Sequence, residues 1–227
     1  MAIHDNPRIV TNGLVLHLDA ANIRSYPGSG TTWTDLSGRG NNGSLVNSPT
    51  FNSSGYFTLD GVDDHITVPT STLWNFGTGD FTIEMWVHPT TYTSTSNSPT
   101  LLVIRPYNFA SPSGMLFYLN NTGNLSVYTD ITVSSTVNAP LNIWTHCVFT
   151  RLSGTLNFYA QAISGTSTSS FSSYSITNSQ DMGIGFDTNF SSDFFTGRIS
   201  SVKIYSKGLS ASEVRQNFNA LRGRFGI

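Results

Sequence analysis

Charged residues are scarce in this chain. It has 2 Lys and 2 Glu in 227 residues, and charged residues make up 11%, against a usual share of roughly 25%. Lys and Glu normally fill the solvent side of helices, so their absence argues against a helical bundle. There is one cysteine, Cys147, which excludes an intrachain disulfide. Residues 144–150 around it alternate as a strand does, which predicts a buried structural thiol rather than an exposed reactive one. No apolar run approaches the ~20 residues needed to cross a bilayer. The opening Met-Ala-Ile-His-Asp-Asn-Pro-Arg lacks the basic start and apolar core of a secretory signal. A net charge of −2 leaves no electrostatic footprint for nucleic acid or an anionic membrane. Heptads and fibrous repeats are also missing, so nothing here builds a shaft.

Hydroxyls, amides and aromatic rings are abundant instead. Ser (32), Thr (28) and Asn (20) dominate the polar positions, and 15 Phe, 9 Tyr and 4 Trp make the chain too hydrophobic to be disordered. Such a surface without disulfides or an export signal suits a protein that folds in a cytoplasm and works outside cells, or one whose leader has been cleaved. Short alternating segments recur between Gly, Pro, Asn and Ser clusters. They predict strands over 14–19, 56–60, 65–68, 81–88, 101–105, 115–120, 125–129, 143–151, 156–163, 182–186 and 198–206. In 81–88 one face carries Phe81, Ile83, Met85 and Val87, and the other Thr82, Glu84, Trp86 and His88. So many strands without intervening helices predict two packed antiparallel sheets. One helix is expected after Ser210-Ala-Ser-Glu213, which has capping-box spacing, followed by Val214, Phe218 and Leu221. Gly223 is placed to close that helix, and the helix is expected to plug one end of the sandwich. Residues 90–100 and 164–175 read as long loops.

The segments Gly13-Leu-Val-Leu-His-Leu-Asp-Ala-Ala-Asn22, Trp33-Thr-Asp-Leu-Ser-Gly-Arg-Gly-Asn-Asn-Gly43 and Leu59-Asp-Gly-Val-Asp-Asp-His65 follow one another along the chain. After them come Phe81-Thr-Ile-Glu-Met-Trp-Val87, Trp144-Thr-His146, Phe195-Thr-Gly-Arg-Ile199, Val202-Lys-Ile-Tyr205 and Leu209-Ser-Ala-Ser-Glu213. In this order they resemble the concanavalin A-like, laminin-G-type jelly roll over most of the chain. The opening segment and the ending Asn217-Phe-Asn-Ala-Leu-Arg-Gly-Arg-Phe225 are similar to domains of tailed-bacteriophage structural proteins. The resemblance implies an all-β, two-sheet antiparallel jelly-roll sandwich at 13–227, preceded by an N-terminal arm at 1–12. It also implies a non-enzymatic virion protein, decorating a capsid or tail surface, that folds in the host cytoplasm. The partners expected are other virion proteins, host-surface glycans and further copies of the chain in a homo-oligomer; nucleic acid and membrane are not expected. The alternative is an extracellular carbohydrate-binding or adhesion module unrelated to virions. Trp33, Trp86 and Trp144 fall at core positions of the family. Two departures stand out. Ser200-Ser201 replaces an acidic pair, which removes a calcium ligand there, and Tyr159-Ala-Gln-Ala162 replaces Tyr-x-Asn-Gly, which suggests a different turn.

Catalysis finds little to work with. Related glucanases place two carboxylates on one strand face as Glu-x-Asp-x-x-Glu, whereas Glu84 has no second acid on its strand and Glu213 belongs to the helix cap. His4, His17, His65, His88 and His146 are scattered, without metal-ligand or triad spacing. No cofactor is required by any motif. A structural calcium is the one metal considered, with Asp60, Asp63 and Asp64 as ligands; the competing reading is a turn capped by those carboxylates. Asp35 with Asn41 and Asn42 forms a second oxygen-rich patch. The glycan-binding candidates are Trp74, Tyr92 and Tyr107, aromatic rings in or beside loop segments where a pyranose could stack; the competing readings are core packing for Trp74 and a subunit contact for Tyr92 and Tyr107.

Overall fold

A computed structural model describes residues 7–94, 98–105, 114–129, 131–165, 171, 173–188 and 193–227. In chain order its strands are β1 (Leu14–Asp19), β2 (Thr32–Trp33), β3 (Gly43–Val46), β4 (Thr50–Asn52), β5 (Tyr56–Asp60) and β6 (His65–Val68). Then come β7 (Phe81–Pro89), β8 (Thr100–Ile104), β9 (Met115–Leu119), β10 (Asn124–Tyr128) and β11 (Thr132–Asn138). The last are β12 (Thr145–Leu152), β13 (Thr155–Ala160), β14 (Ile163–Ser164), β15 (Met182–Ile184) and β16 (Thr196–Tyr205), followed by the helix α1 (Ala211–Leu221). Sheet one runs β14-β13-β12-β7-β16-β5-β4, with β1 also paired to β16; sheet two runs β11-β10-β9-β8-β15-β6-β3-β2. The pairings are antiparallel throughout. This is the sandwich expected from the alternating segments.

The main core lies between the sheets. Phe81, Ile83, Met85 and Val87 of β7 join Leu102, Ile104, Phe117, Leu125 and their neighbours from sheet two, all fully buried. Cys147 belongs to the same core, where burial pushes its thiol pKa well up, so it stays a thiol. Arg151 is buried as well. Its guanidinium donates to the carbonyls of Gly77, Gly79 and Tyr174 and lies 5.0 Å from the centre of the Phe81 ring, tying the loop before β7 to the loop after β14.

All nine residues of β7 are buried, so the outward face of sheet one is covered along this strand too. That cover is α1, and it corrects the expected placement of the helix at one end of the sandwich. A second apolar cluster of Val10, Val148, Tyr159, Tyr205, Leu209 and Val214 joins helix, sheet and N-terminal arm. The Val10 N–H donates to Asn217 Oδ1 at 2.7 Å, its carbonyl accepts from the Tyr205 hydroxyl at 3.1 Å, and Gln216 Nε2 donates to the Arg8 carbonyl at 2.7 Å. Residues 8–10 therefore dock on the domain's own surface.

The capping box forms as expected: Ser210 Oγ accepts from the Glu213 N–H, and the Glu213 carboxylate accepts from the Ser210 N–H at 3.0 Å. The C-terminal closure differs from expectation. A 3-10 turn (Arg222–Phe225) extends the helix, and Gly226, not Gly223, takes the left-handed conformation at φ 72°. The turn at Gln161-Ala162 differs as well. Both residues have positive φ, 53° and 61°, as a type I′ hairpin turn requires. The Asn-Gly geometry is thus kept without its residues. Gln161 contributes by clamping the neighbouring chain, with Oε1 accepting from the His146 N–H at 3.1 Å and Nε2 donating to the Trp144 carbonyl at 2.9 Å.

Candidate functional site

The three expected platforms separate. Trp74 ends a 3-10 turn (Thr72–Trp74) capped by Ser71 and is fully buried in the main core, so its ring offers no face to a sugar. This corrects its assignment to a glycan site. Tyr92 is half-buried. Its hydroxyl donates to the Ala139 carbonyl at 2.8 Å, and its ring fills the space where Gly123 has no side chain. Most of the ring is therefore committed to closing that end of the sandwich. Tyr107 lies outside the described residues.

Asp60, Asp63 and Asp64 do converge, with one oxygen of each within 4.8 Å of the others. Their hydrogen bonds are those of a capped turn. Asp60 Oδ1 accepts from the N–H groups of Val62 at 2.8 Å, Asp63 at 3.3 Å and Asp64 at 3.3 Å, and Asp64 Oδ2 accepts from the Asp60 N–H at 3.2 Å. Those donors hold the Asp60 carboxyl below its usual range, the Val62 N–H most of all. Burial, with the Asp60 charge beside it, pushes Asp64 up. Asp35 does similar work, accepting from the N–H groups of His17, Ser37 and Asn41.

Glu84 sits in a sealed polar network beneath α1. The side chains of Glu84 and Lys203 are essentially inaccessible and their charges lie 2.7 Å apart, while His146 Nε2 is 3.1 Å from the same carboxylate oxygen. Asn217 of the helix donates to the other oxygen at 2.6 Å and also bonds the Tyr205 hydroxyl at 2.9 Å. Desolvation alone would raise the Glu84 carboxyl, but the Lys203 ammonium and His146 outweigh it and hold it well below the usual carboxylate range. A carboxylate so enclosed can neither reach substrate nor exchange protons with it. Alternation put Glu84 on an outward face, but the burial comes from α1, more than 120 residues away.

A different cluster of aromatic rings reaches solvent at the edge of this same face. Trp86 is fully buried there, with Phe225 stacked 4.1 Å and Phe218 5.8 Å from it. Trp144, expected in the core, is only half-buried. It meets Tyr56 at 5.5 Å, His88 at 5.4 Å and Phe225 at 4.8 Å. The Arg198 guanidinium lies 5.1 Å from the centre of the Tyr56 ring. Arg224 holds the C-terminal turn in place through both oxygens of Asp19, at 2.6 and 3.1 Å. Neither Tyr56 nor Arg198 stands out in the sequence; two lone residues near strand ends acquire meaning only when β5, β16, β7 and the start of β12 are set in one sheet.

Two eight-stranded antiparallel sheets with helix-covered and open faces define a lectin-type jelly roll. Residues 60–215 match the family model of the concanavalin A-like lectin/glucanases superfamily, and the chain belongs to that superfamily. A comparison with curated protein sequences gave no match. Among solved structures, Trypanosoma rangeli sialidase in complex with sialic acid superposes with a TM-score of 0.67 at 15% identity, over 93% of this chain and 33% of the sialidase. The binding domain of Paraclostridial Mosquitocidal Protein 1 gives 0.69 at 20% identity, over 92% of this chain and 52% of that one. The botulinum neurotoxin serotype D binding domain gives 0.66 at 15% identity, over 92% and 52%. The chain thus spans about a third of the sialidase and about half of the toxin domains. At these identities the likeness concerns the fold.

Proposed function

We propose that this chain is a non-catalytic, lectin-like module that binds carbohydrate and is displayed on the surface of a bacteriophage virion. The observation that carries the non-catalytic part is the enclosure of Glu84. The one glutamate on a strand is ion-paired to Lys203 and bonded to Asn217 beneath the helix, out of reach of any substrate. Among the described residues, the remaining convergent carboxylates are those that cap the turn at 60–64. Carbohydrate binding is supported by membership of a lectin and glucanase superfamily, although a fold of this kind hosts many functions. The virion setting rests on the resemblance to phage structural domains read from the opening segment 13–22 and the ending 217–225. Contacts to other virion proteins and repeated copies would supply avidity to a weak sugar site.

Two measurements test the proposal. A glycan array probed with the purified chain is expected to give saccharide-specific signals, and a blank array overturns the binding reading. Mass spectrometry of purified particles from the phage that encodes the chain is expected to recover it in stoichiometric amounts. Its consistent absence from particles overturns the virion reading and leaves a free-standing carbohydrate-binding module.

A further inference from the structure

We propose that the corner of sheet one formed by Tyr56, Trp144 and Arg198 binds a saccharide carrying a carboxylate. This deepens the carbohydrate-binding reading above and rests on it. The two rings are both half-buried and meet at 61° with centres 5.5 Å apart. They form a step: one ring presents a face, the other an edge. A pyranose lays its C–H face against such an apolar base while its hydroxyls remain free for polar neighbours.

The charge beside the step selects among sugars. Arg198 is half-buried and stands over the Tyr56 ring, and no carboxylate of the described residues forms an ion pair with it. Of the acids that the strand register places near it, Asp19 is already taken by Arg224, and Asp60 turns its carboxylate to the N–H groups of 62–64. Among the described residues, the guanidinium at this aromatic corner is therefore without an ion-pair partner, in a chain with a net charge of −2. A guanidinium resting on a ring keeps its planar fork of donors free, and a carboxylate matches that fork with two parallel hydrogen bonds.

The strand register extends the site. Arg198 on β16 is opposite Thr58 on β5, and Thr58 is opposite Thr50 on β4, with both threonines exposed. Two strand spacings, about 10 Å, leave room for a second sugar unit along these hydroxyls. On the other side Phe225, anchored by the Arg224–Asp19 pair, walls the step.

The test uses the full chain on an array of carboxylated glycans (uronic and nonulosonic acids) and their neutral counterparts. The strongest hit and its methyl ester are then titrated by isothermal calorimetry. Carboxylated glycans are expected to dominate, and esterification is expected to weaken binding at least tenfold. Arg198→Gln is expected to weaken the acid at least tenfold and the ester little, and Trp144→Phe to weaken both. Melting curves of the two variants confirm that they are folded; should Trp144→Phe unfold the chain, Tyr56→Ala replaces it. Equal binding of acid and ester, or an Arg198→Gln variant with unchanged affinity, overturns this inference while leaving carbohydrate binding intact. An array with no carboxylated hit also overturns it, and only a wholly blank array takes the broader reading with it.

Discussion

Ala162 occupies a conformation that its side chain disfavours. At φ 61° an L-residue crowds its own carbonyl, at a cost of roughly 1–2 kcal/mol, and glycine escapes that crowding. Ala162→Gly is therefore expected to stabilise the domain by about 0.5–1 kcal/mol, the larger chain entropy of glycine offsetting part of the gain. A urea titration that shows no rise in midpoint would show that this hairpin relaxes in solution. Gln161 is the wrong place for the same change, because its amide ties the Trp144 and His146 backbones. At Asp60 the relevant measurement is chelation. A carboxylate that accepts three backbone N–H groups needs no ion to justify its position. The melting temperature is expected to be the same with and without EDTA, and a drop of several degrees would assign calcium to Asp60, Asp63 and Asp64.

At the scale of elements, α1 depends on its first turn. Ser210→Ala removes the side-chain acceptor for the Glu213 N–H and is expected to cost about 1 kcal/mol. Glu213→Gln keeps an acceptor for the Ser210 N–H, losing only the half-buried ion pair with Lys207, and is expected to cost less. Equal losses in thermal melts would mean that the charge, not the cap, holds the helix start. Elements with a clear period were legible in the residues: 14–19, 56–60 and 65–68 coincide with β1, β5 and β6. β11 was not, although its Val133, Ser135 and Val137 alternate with Thr132, Ser134 and Thr136. A strand whose inward positions include serine carries too weak a hydrophobic contrast, and only pairing with β10 makes it one. β2 and β14 have two residues each, too few for any period to show.

Across the whole molecule, acid attacks His17 and His88 first. His17 is pushed down to about 4, by burial first and then by the Lys203 charge, with Asp19, Glu84 and Asp35 opposing. Burial and Arg198 push His88 down as well. Unfolded, either ring takes up a proton near pH 6.5; folded, it resists until lower pH. Their contribution is complete above pH 6.5 and declines as pH falls toward 4, where His17 alone accounts for about 2–3 kcal/mol. Glu84 has the opposite charge but the same direction of effect, because its depressed carboxyl loses its stabilisation only below the ordinary carboxylate range. The melting temperature is therefore expected to fall in two stages on acidification. His17→Gln should flatten the first stage; an unchanged slope between pH 6.5 and 4 would show that this ring is protonated in the folded state.

Composition and period alone determined that this chain is an all-β sandwich with one capped helix, because alternation and capping are local and written in neighbouring residues. They also show that no second acid shares a strand with Glu84. Where α1 lies, and so why Glu84 and Trp86 are buried on an outward face, was decided by the tertiary structure. Asn217 meets Glu84 133 positions away and Val10 207 positions away, separations to which no local pattern is sensitive. The same holds for the aromatic corner. Tyr56, Trp144 and Arg198 come from three distant segments, and it is the antiparallel order of β5, β16, β7 and β12 that sets them side by side.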